Sequence, residues 1–285
     1  MGTGRTLLLG AIAGTTILLG MPLGRMKRPA PRLRQVLNAV AIGVLLFLLW
    51  DVLTGAFAPI DDALRSYHQG HGGLGSAVGY AALFFGGLTI GLMSLVYYER
   101  RLSSASKRFG PGTVAVGELE ARTAGIASWS PSRRLALLIA VGIGLHNFAE
   151  GLAIGSSAAR GDIALATLLV VGFGLHNATE GFGIVAPLAA DRAPDEERPS
   201  WRFLLGLALI GGGPTFAGTA IGHAVTNTPL SVAFLTLAGG SILYVVVQLL
   251  GVANKGGRKD LLGWGLLLGL AAGFITDMIV TAAGV

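Results

Sequence analysis

The sequence predicts an all-α integral membrane protein with eight transmembrane helices. Of its 285 residues, 52% are hydrophobic and only 13% are charged, whereas about a quarter of the residues in a soluble domain are charged. A membrane-spanning helix needs roughly 20 mostly apolar residues. The chain has eight such runs, which leave no room for a sizeable soluble domain, so residues 1–285 form a single transmembrane domain. The predicted spans are approximately residues 5–22, 34–54, 74–98, 133–159, 162–189, 203–223, 230–250 and 261–284.

Two local patterns agree with these spans. The first span is distinguished from a cleaved signal peptide by its charge order, because a signal peptide carries its positive charge before the apolar run. Here the basic cluster of residues 25–34 follows the run. Several later spans have glycines at four-residue spacing, such as Gly151/Gly155 and Gly218/Gly222. Small residues at that spacing allow helices to approach closely in lipid.

The distribution of lysine and arginine predicts the orientation of the spans. Eighteen of the 21 basic residues lie at the connections that follow spans 1, 3, 5 and 7. Because basic connections stay in the cytoplasm, these four face inward and both termini face outward. The longest of them, residues 99–132, is predicted to be a cytoplasmic loop. The net charge of +6 therefore reflects topology, and we expect no nucleic-acid partner.

Spans 4 and 5 each contain a histidine, an asparagine and a glutamate in the same pattern. Residues 146–151 read HNFAEG and residues 176–181 read HNATEG, both within apolar runs. Histidine and glutamate four residues apart share one face of a helix, and the asparagine flanks that face. A buried carboxylate is costly in a membrane unless it is paired or neutralised, so its repetition in one pattern indicates function.

The two motifs are predicted to converge on a metal ion. The connection between spans 4 and 5 is short, so the helices are antiparallel neighbours, and both motifs lie roughly 22 Å from that turn. Imidazole and carboxylate suit Zn²⁺ and also Cd²⁺, Fe²⁺, Mn²⁺, Co²⁺ and Ni²⁺. Without metal the glutamates would take up protons, which metal binding would release. The predicted ligands are His146, Asn147, Glu150, His176, Asn177 and Glu180.

Three functions are compatible with such a site. The first is transport of a divalent transition metal. The second is an intramembrane zinc-dependent hydrolase, which would need an open coordination position and a general base, yet the chain has no HExxH motif and both glutamates are assigned as ligands. The third is a proton-coupled carrier of an organic solute, which leaves the two histidines unexplained.

At these motifs the chain resembles the ZIP (Zrt/Irt-like) family of divalent metal transporters, which has eight spans, outward termini and HNxPEG-type motifs in spans 4 and 5. The resemblance implies a multi-pass protein of the plasma membrane, in a prokaryote the inner membrane, that moves metal toward the cytoplasm. It also implies a metal site between spans 4 and 5 and alternating access by a block of spans 1, 4, 5 and 6. The metal, with zinc the first expectation, would be cargo and not a cofactor.

The chain departs from the family pattern at several positions. Ala149 and Thr179 replace the motif prolines, and Gly213 replaces an acid before Pro214 in span 6. Loss of that acid predicts one well-populated metal site where the family can hold two. We expect the lipid bilayer and divalent metal ions as partners, and the sequence leaves a homodimer open. Accessory candidates in spans 2, 7 and 8 are Asp51, Gln248 and Asp277.

Overall fold

The computed structural model of the chain is helical throughout its core. It describes residues 2–25, 31–107, 126, 129–159, 163–190, 198–224, 227–254 and 257–282, and none of these residues forms a β-strand. Two 3₁₀ helices, Thr16–Leu19 and Met21–Arg25, follow the first α-helix. The α-helices in the described residues are α1 (Thr3–Thr15), α2 (Pro31–His68), α3 (Leu74–Lys107), α4 (Pro131–Ala159), α5 (Ile163–Ala190), α6 (Trp201–Ala224), α7 (Thr228–Asn254) and α8 (Lys259–Ala282).

Seven helical segments in the described residues are long and apolar enough to cross a membrane. The prediction of an all-α membrane protein is therefore confirmed. Helix α5 coincides with the remaining predicted span, residues 162–189, although many of its side chains fall outside the described part of the chain. The seven segments are Thr3–Arg25, Gln35–His68, Leu74–Arg101, Pro131–Ser156, Trp201–Ala224, Thr228–Asn254 and Lys259–Ile279.

Helices α2 and α3 extend beyond the apolar runs that predicted them. The second predicted span ended at residue 54, but α2 continues through Pro59 to His68. An ion pair between Arg65 and Asp61, one turn apart and 2.7 Å long, supports this polar extension. Helix α3 likewise includes residues 99–107 of the predicted cytoplasmic loop. Residues 108–125 of that loop lie outside the described residues.

The helices pack as two groups. Helices α1, α4, α5 and α6 contact one another, and the contact between α4 and α6 is the most extensive among the described helices. Helices α2, α3, α7 and α8 form the second group. The groups meet chiefly where α4 contacts α7 and where α2 contacts α5. The first group has the same membership as the block of spans 1, 4, 5 and 6 expected from the family resemblance.

Glycines bring α4 and α6 into backbone contact, as their four-residue spacing predicts. A Cβ atom on Gly151 of α4 would collide with the carbonyl oxygen of Thr215 in α6. Reciprocally, a Cβ atom on Gly218 of α6 would collide with the carbonyl oxygen of Phe148 in α4. Because these neighbours are main-chain atoms, no side-chain rotation can relieve the overlap. The helix separation therefore depends on the absence of a side chain at these positions.

We expect the substitution Gly218→Ala to lower the free energy of unfolding by about 1–3 kcal/mol, because the added methyl group forces the two backbones apart. The matched control is Gly206→Ala in the same helix, where an added Cβ would meet nothing within 4 Å. Since alanine is the better helix former, the control variant is expected to be neutral or slightly more stable. Unfolding of both variants in detergent micelles measures the difference, and equal stabilities would contradict this account.

Candidate metal centre

The polar residues of the two motifs lie in the interior of the first helix group. On α4, the exposed fractions of His146, Asn147 and Glu150 are 1%, 0% and 4%. On α5, those of Asn177 and Glu180 are 0% and 1%. Charged side chains are almost never this buried unless they are paired or bind a metal. The predicted burial of these motif positions is therefore observed in the folded chain.

His146 connects the carboxylates of the two helices. Its Nε2 atom lies 2.8 Å from Oε1 of Glu150, one turn further along the same helix. The same nitrogen lies 3.9 Å from Oε1 of Glu180 on α5. The structure thus brings one histidine and both motif glutamates together. His176 lies in α5, but its side chain is outside the described residues.

In this arrangement the described residues contain no group of three or more His, Asp or Glu side chains set to hold a metal ion. His146 and Glu150 instead contact each other directly. Ligands about 2.1 Å from a tetrahedral zinc ion are about 3.4 Å apart. The 2.8 Å contact between His146 and Glu150 therefore has to open by only about half an ångström to admit an ion. Small side-chain shifts would convert the ion pair into two metal ligands.

Each motif asparagine is anchored to a neighbouring helix. The Nδ2 group of Asn147 donates to the carbonyl oxygen of Gly211 in α6, at 3.0 Å. The Nδ2 group of Asn177 donates to the carbonyl oxygen of Ala13 in α1, at 3.1 Å. Only the amide NH₂ can donate to a carbonyl, so these bonds determine which amide atom is the oxygen. Both Oδ1 atoms are buried and accept no hydrogen bond from the described residues, which leaves them available as oxygen ligands.

A third buried oxygen near these anchors, the hydroxyl of Thr215 in α6, was missed by the sequence analysis. Thr215 is 0% exposed, and its Oγ1 has no hydrogen-bond partner within the described chain. It lies one turn beyond Gly211, and a Cβ atom on Gly14 of α1 would be 3.2 Å from the Thr215 Cβ. The sequence feature that could have indicated this oxygen is a threonine directly after Pro214 in an apolar span.

The three accessory candidates have different surroundings. Asp51 on α2 is exposed, yet it is close enough for its charge to act on the His146 imidazole. Gln248 on α7 donates from Nε2 to Oε2 of Glu99 in α3, at 2.9 Å. Asp277 on α8 is half-buried, and its carboxylate has no hydrogen bond or ion pair with another described residue. Of the three, Asp51 is the one whose charge acts on a motif residue, His146.

Comparison with known proteins agrees with the motifs. Residues 118–276, more than half of the chain, match the family model of the ZIP zinc transporters. The chain is also 26% identical over 281 residues to proteins named zinc transporter ZupT from Shigella flexneri serotype 5b and Escherichia coli K12, an alignment that covers 98% of each protein. Both motifs lie within the region that matches the family model. The alignment with the ZupT proteins covers nearly the whole chain.

We expect Asn177→Leu to weaken Zn²⁺ binding about tenfold or more, because it removes a buried oxygen that the sequence predicts to be a ligand for the dication. Calorimetric titration of the purified protein measures this affinity. The matched control is Ser241→Ala, which also removes a buried hydrogen bond to a main-chain carbonyl, that of Gly142 at 2.9 Å, but no motif atom. Its affinity should stay at the wild-type value, and an equal loss in both variants would refute a direct role for Asn177.

Proposed function

The chain belongs to the ZIP zinc transporter family, and we propose that it carries divalent metal ions, zinc foremost, across the membrane toward the cytoplasm. The observation that carries this proposal is the buried contact of His146 with Glu150 and Glu180 between α4 and α5. It is a transporter and not an enzyme. The metal is its cargo.

The proposed ligand set contains nitrogen and oxygen donors from both motifs. Two carboxylates neutralise one dication, which offsets most of the cost of burying them. Such a set suits Zn²⁺ and also Cd²⁺, Fe²⁺, Mn²⁺, Co²⁺ and Ni²⁺. In α6, Gly213 supplies no acid, which supports a single well-populated site. The proposed ligands are His146, Asn147, Glu150, His176, Asn177 and Glu180.

Protons are expected to compete with the metal at this site. Histidine and glutamate bind a metal only in their deprotonated forms, so metal binding releases protons. His146 and Glu150 lie 2.8 Å apart, a distance at which the pair can share a proton. We therefore propose that metal entry displaces this proton, and that lower pH weakens uptake.

We propose that the protein has eight spans with both termini outside the cytoplasm, α5 being the additional span. The support is the concentration of lysine and arginine at the connections after spans 1, 3, 5 and 7. With this orientation α4 runs outward and α5 runs inward. The metal centre then lies between them, deep in the membrane of a prokaryotic cell.

Alternating access is proposed to occur by movement of α1, α4, α5 and α6 against the other four helices. The anchors of the centre support this division, because Asn147 is held by α6 and Asn177 by α1. Each of these bonds stays within the first group and would survive its movement. Asp51 on α2 belongs to the second group, so its distance from His146 would change.

The two alternatives have less support. A hydrolase needs a general base beside the metal, and both described carboxylates contact His146 instead. A carrier of an organic solute would use the glutamates for protons alone and would leave the buried imidazole and the two anchored amides without a role.

We expect reconstituted wild-type protein to carry external Zn²⁺ to a zinc-sensitive dye inside liposomes, and Glu150→Ala or Glu180→Ala to abolish that uptake. The reason is that one remaining carboxylate leaves the dication only half neutralised. The control is Asp260→Asn, which removes a carboxylate paired with exposed Arg258 at 2.6 Å and should preserve uptake. Wild-type uptake that persists in both glutamate variants would defeat the proposed mechanism.

We expect single cysteines to report the topology directly, since the chain has no cysteine of its own. In spheroplasts, a membrane-impermeant maleimide should label Gln69→Cys, in the turn after α2, and not Arg198→Cys, before α6. Both positions are exposed in the folded chain, so access from the aqueous phase decides the labelling. Permeabilised membranes, in which both variants should react, provide the control. The opposite labelling pattern would invert the proposed orientation.

A further inference from the structure

Asn38 is a buried polar residue outside the two motifs. It lies on α2 with an exposed fraction of 6%. Its Nδ2 group donates to the carbonyl oxygen of Leu249 in α7, at 3.1 Å. Its Oδ1 atom is buried and accepts no hydrogen bond from any described residue. Because a buried acceptor without a partner is costly, this oxygen is available for a ligand that arrives from elsewhere.

Leu249 also locates Asn38 next to α5. A Cβ atom on Gly183 of α5 would lie 3.5 Å from Cδ1 of Leu249 and 4.0 Å from the Cβ of Ala41. Ala41 is one turn from Asn38 in α2. Because α2 runs outward and α5 inward in the proposed topology, Asn38 lies on the cytoplasmic side of Ala41, beside the turn of α5 that follows Gly183.

Pro187 provides a second oxygen at this level of α5. Proline has no N–H group, so a proline inside a helix leaves the carbonyl four residues earlier without its usual donor. Pro187 is buried within α5, and the carbonyl that loses its donor is that of Gly183. Positions four residues apart share a helix face. The carbonyl therefore lies on the face of α5 that meets Leu249 and Ala41.

In the proposed orientation, Gly183 and Asn38 lie on the cytoplasmic side of Glu180. Gly183 follows Glu180 by three residues, about 4.5 Å along the helix axis. The buried side chains next to Gly183 are apolar, namely those of Leu249 and Ala41. An ion that leaves the centre on this side would pass the Gly183 carbonyl and the Asn38 amide.

We propose that Oδ1 of Asn38 and the carbonyl oxygen of Gly183 form a relay site for the metal ion, partly hydrated, as it leaves Glu150 and Glu180 for the cytoplasm. This inference rests on the proposed function. Neutral oxygens hold a dication more weakly than carboxylates, which suits a site that must release its ion onward. Asn38 belongs to one helix group and Gly183 to the other, so the relay site assembles in only part of the transport cycle.

The test compares the maximal rate of Zn²⁺ uptake into dye-loaded proteoliposomes with equilibrium Zn²⁺ binding by calorimetry. Asn38→Leu removes the amide oxygen at similar volume. We expect its maximal uptake rate to fall about tenfold while its Zn²⁺ affinity stays within about twofold of wild type, since the central ligands are intact. A purely structural role for Asn38 would reduce affinity together with rate.

A second variant approaches the same site from α5. Pro187→Ala restores an N–H donor for the Gly183 carbonyl and leaves the residues Asn38 and Leu249 unchanged. It should also lower the maximal uptake rate at unchanged Zn²⁺ affinity. The control is Thr236→Val in α7, which removes a buried hydroxyl bonded to the carbonyl of Val232, at 2.8 Å, and should keep the wild-type rate.

The outcomes separate the relay site from transport itself. Normal maximal rates in both Asn38→Leu and Pro187→Ala, beside active wild-type protein, would overturn the relay site and leave the proposed function standing. Should Asn38→Leu fail to fold, the rate of Pro187→Ala decides alone. No uptake by the wild-type protein would overturn both proposals.

Discussion

The burial of two glutamates in an apolar helix bundle is the constraint on which the rest of the structure depends. Glu150 and Glu180 are 4% and 1% exposed, and each charge needs compensation where water is absent. His146 lies near both, but one protonated imidazole neutralises only one of two carboxylates. A dication with a neutral histidine neutralises both. The charge arithmetic therefore favours divalent cargo over a single proton or a monovalent ion.

The asparagine anchors depend on how closely the helices approach. A short asparagine side chain reaches a neighbouring main-chain carbonyl only where little side-chain volume separates the helices. Asn147 bonds to Gly211, and the adjacent Gly212 packs against the backbone of Gly14 in α1. Each carbonyl has a second lone pair, so it can accept this bond and keep its helical one. The glycine spacing that joins α1, α4 and α6 thus also orients the amide oxygens of the centre.

The sequence predicts the broad fold and the polar centre, because burial in lipid leaves strong patterns in hydropathy and in the repeated motif. It does not predict the helix ends, because hydropathy indicates only the part of a helix that lies in lipid. Helix α2 continues for about four turns beyond its apolar run. Nor does the sequence reveal Asn38, a single amide in the run VLNAVAI whose partner Leu249 is 211 residues away. The sequence predicts Gln248 as an accessory candidate, but its bond to Glu99 is a contact that only the folded chain reveals.

The distribution of hydrogen bonds between the helix groups bears on how such a protein can move. The anchors of Asn147 and Asn177 lie within the first group, and those of Asn38 and Gln248 lie within the second. Directional bonds of this kind hold each group together. One such bond crosses the boundary, where the Ser241 hydroxyl of α7 donates to the Gly142 carbonyl of α4 at 2.9 Å, and it would have to break if the groups moved apart. Contacts between apolar side chains are non-directional and tolerate sliding. In the proposed alternating access, the first group would change its position while the motif side chains keep their mutual geometry. Asp51 lies in the second group, so the proposed movement would change its distance from His146 and with it the electric field at the centre.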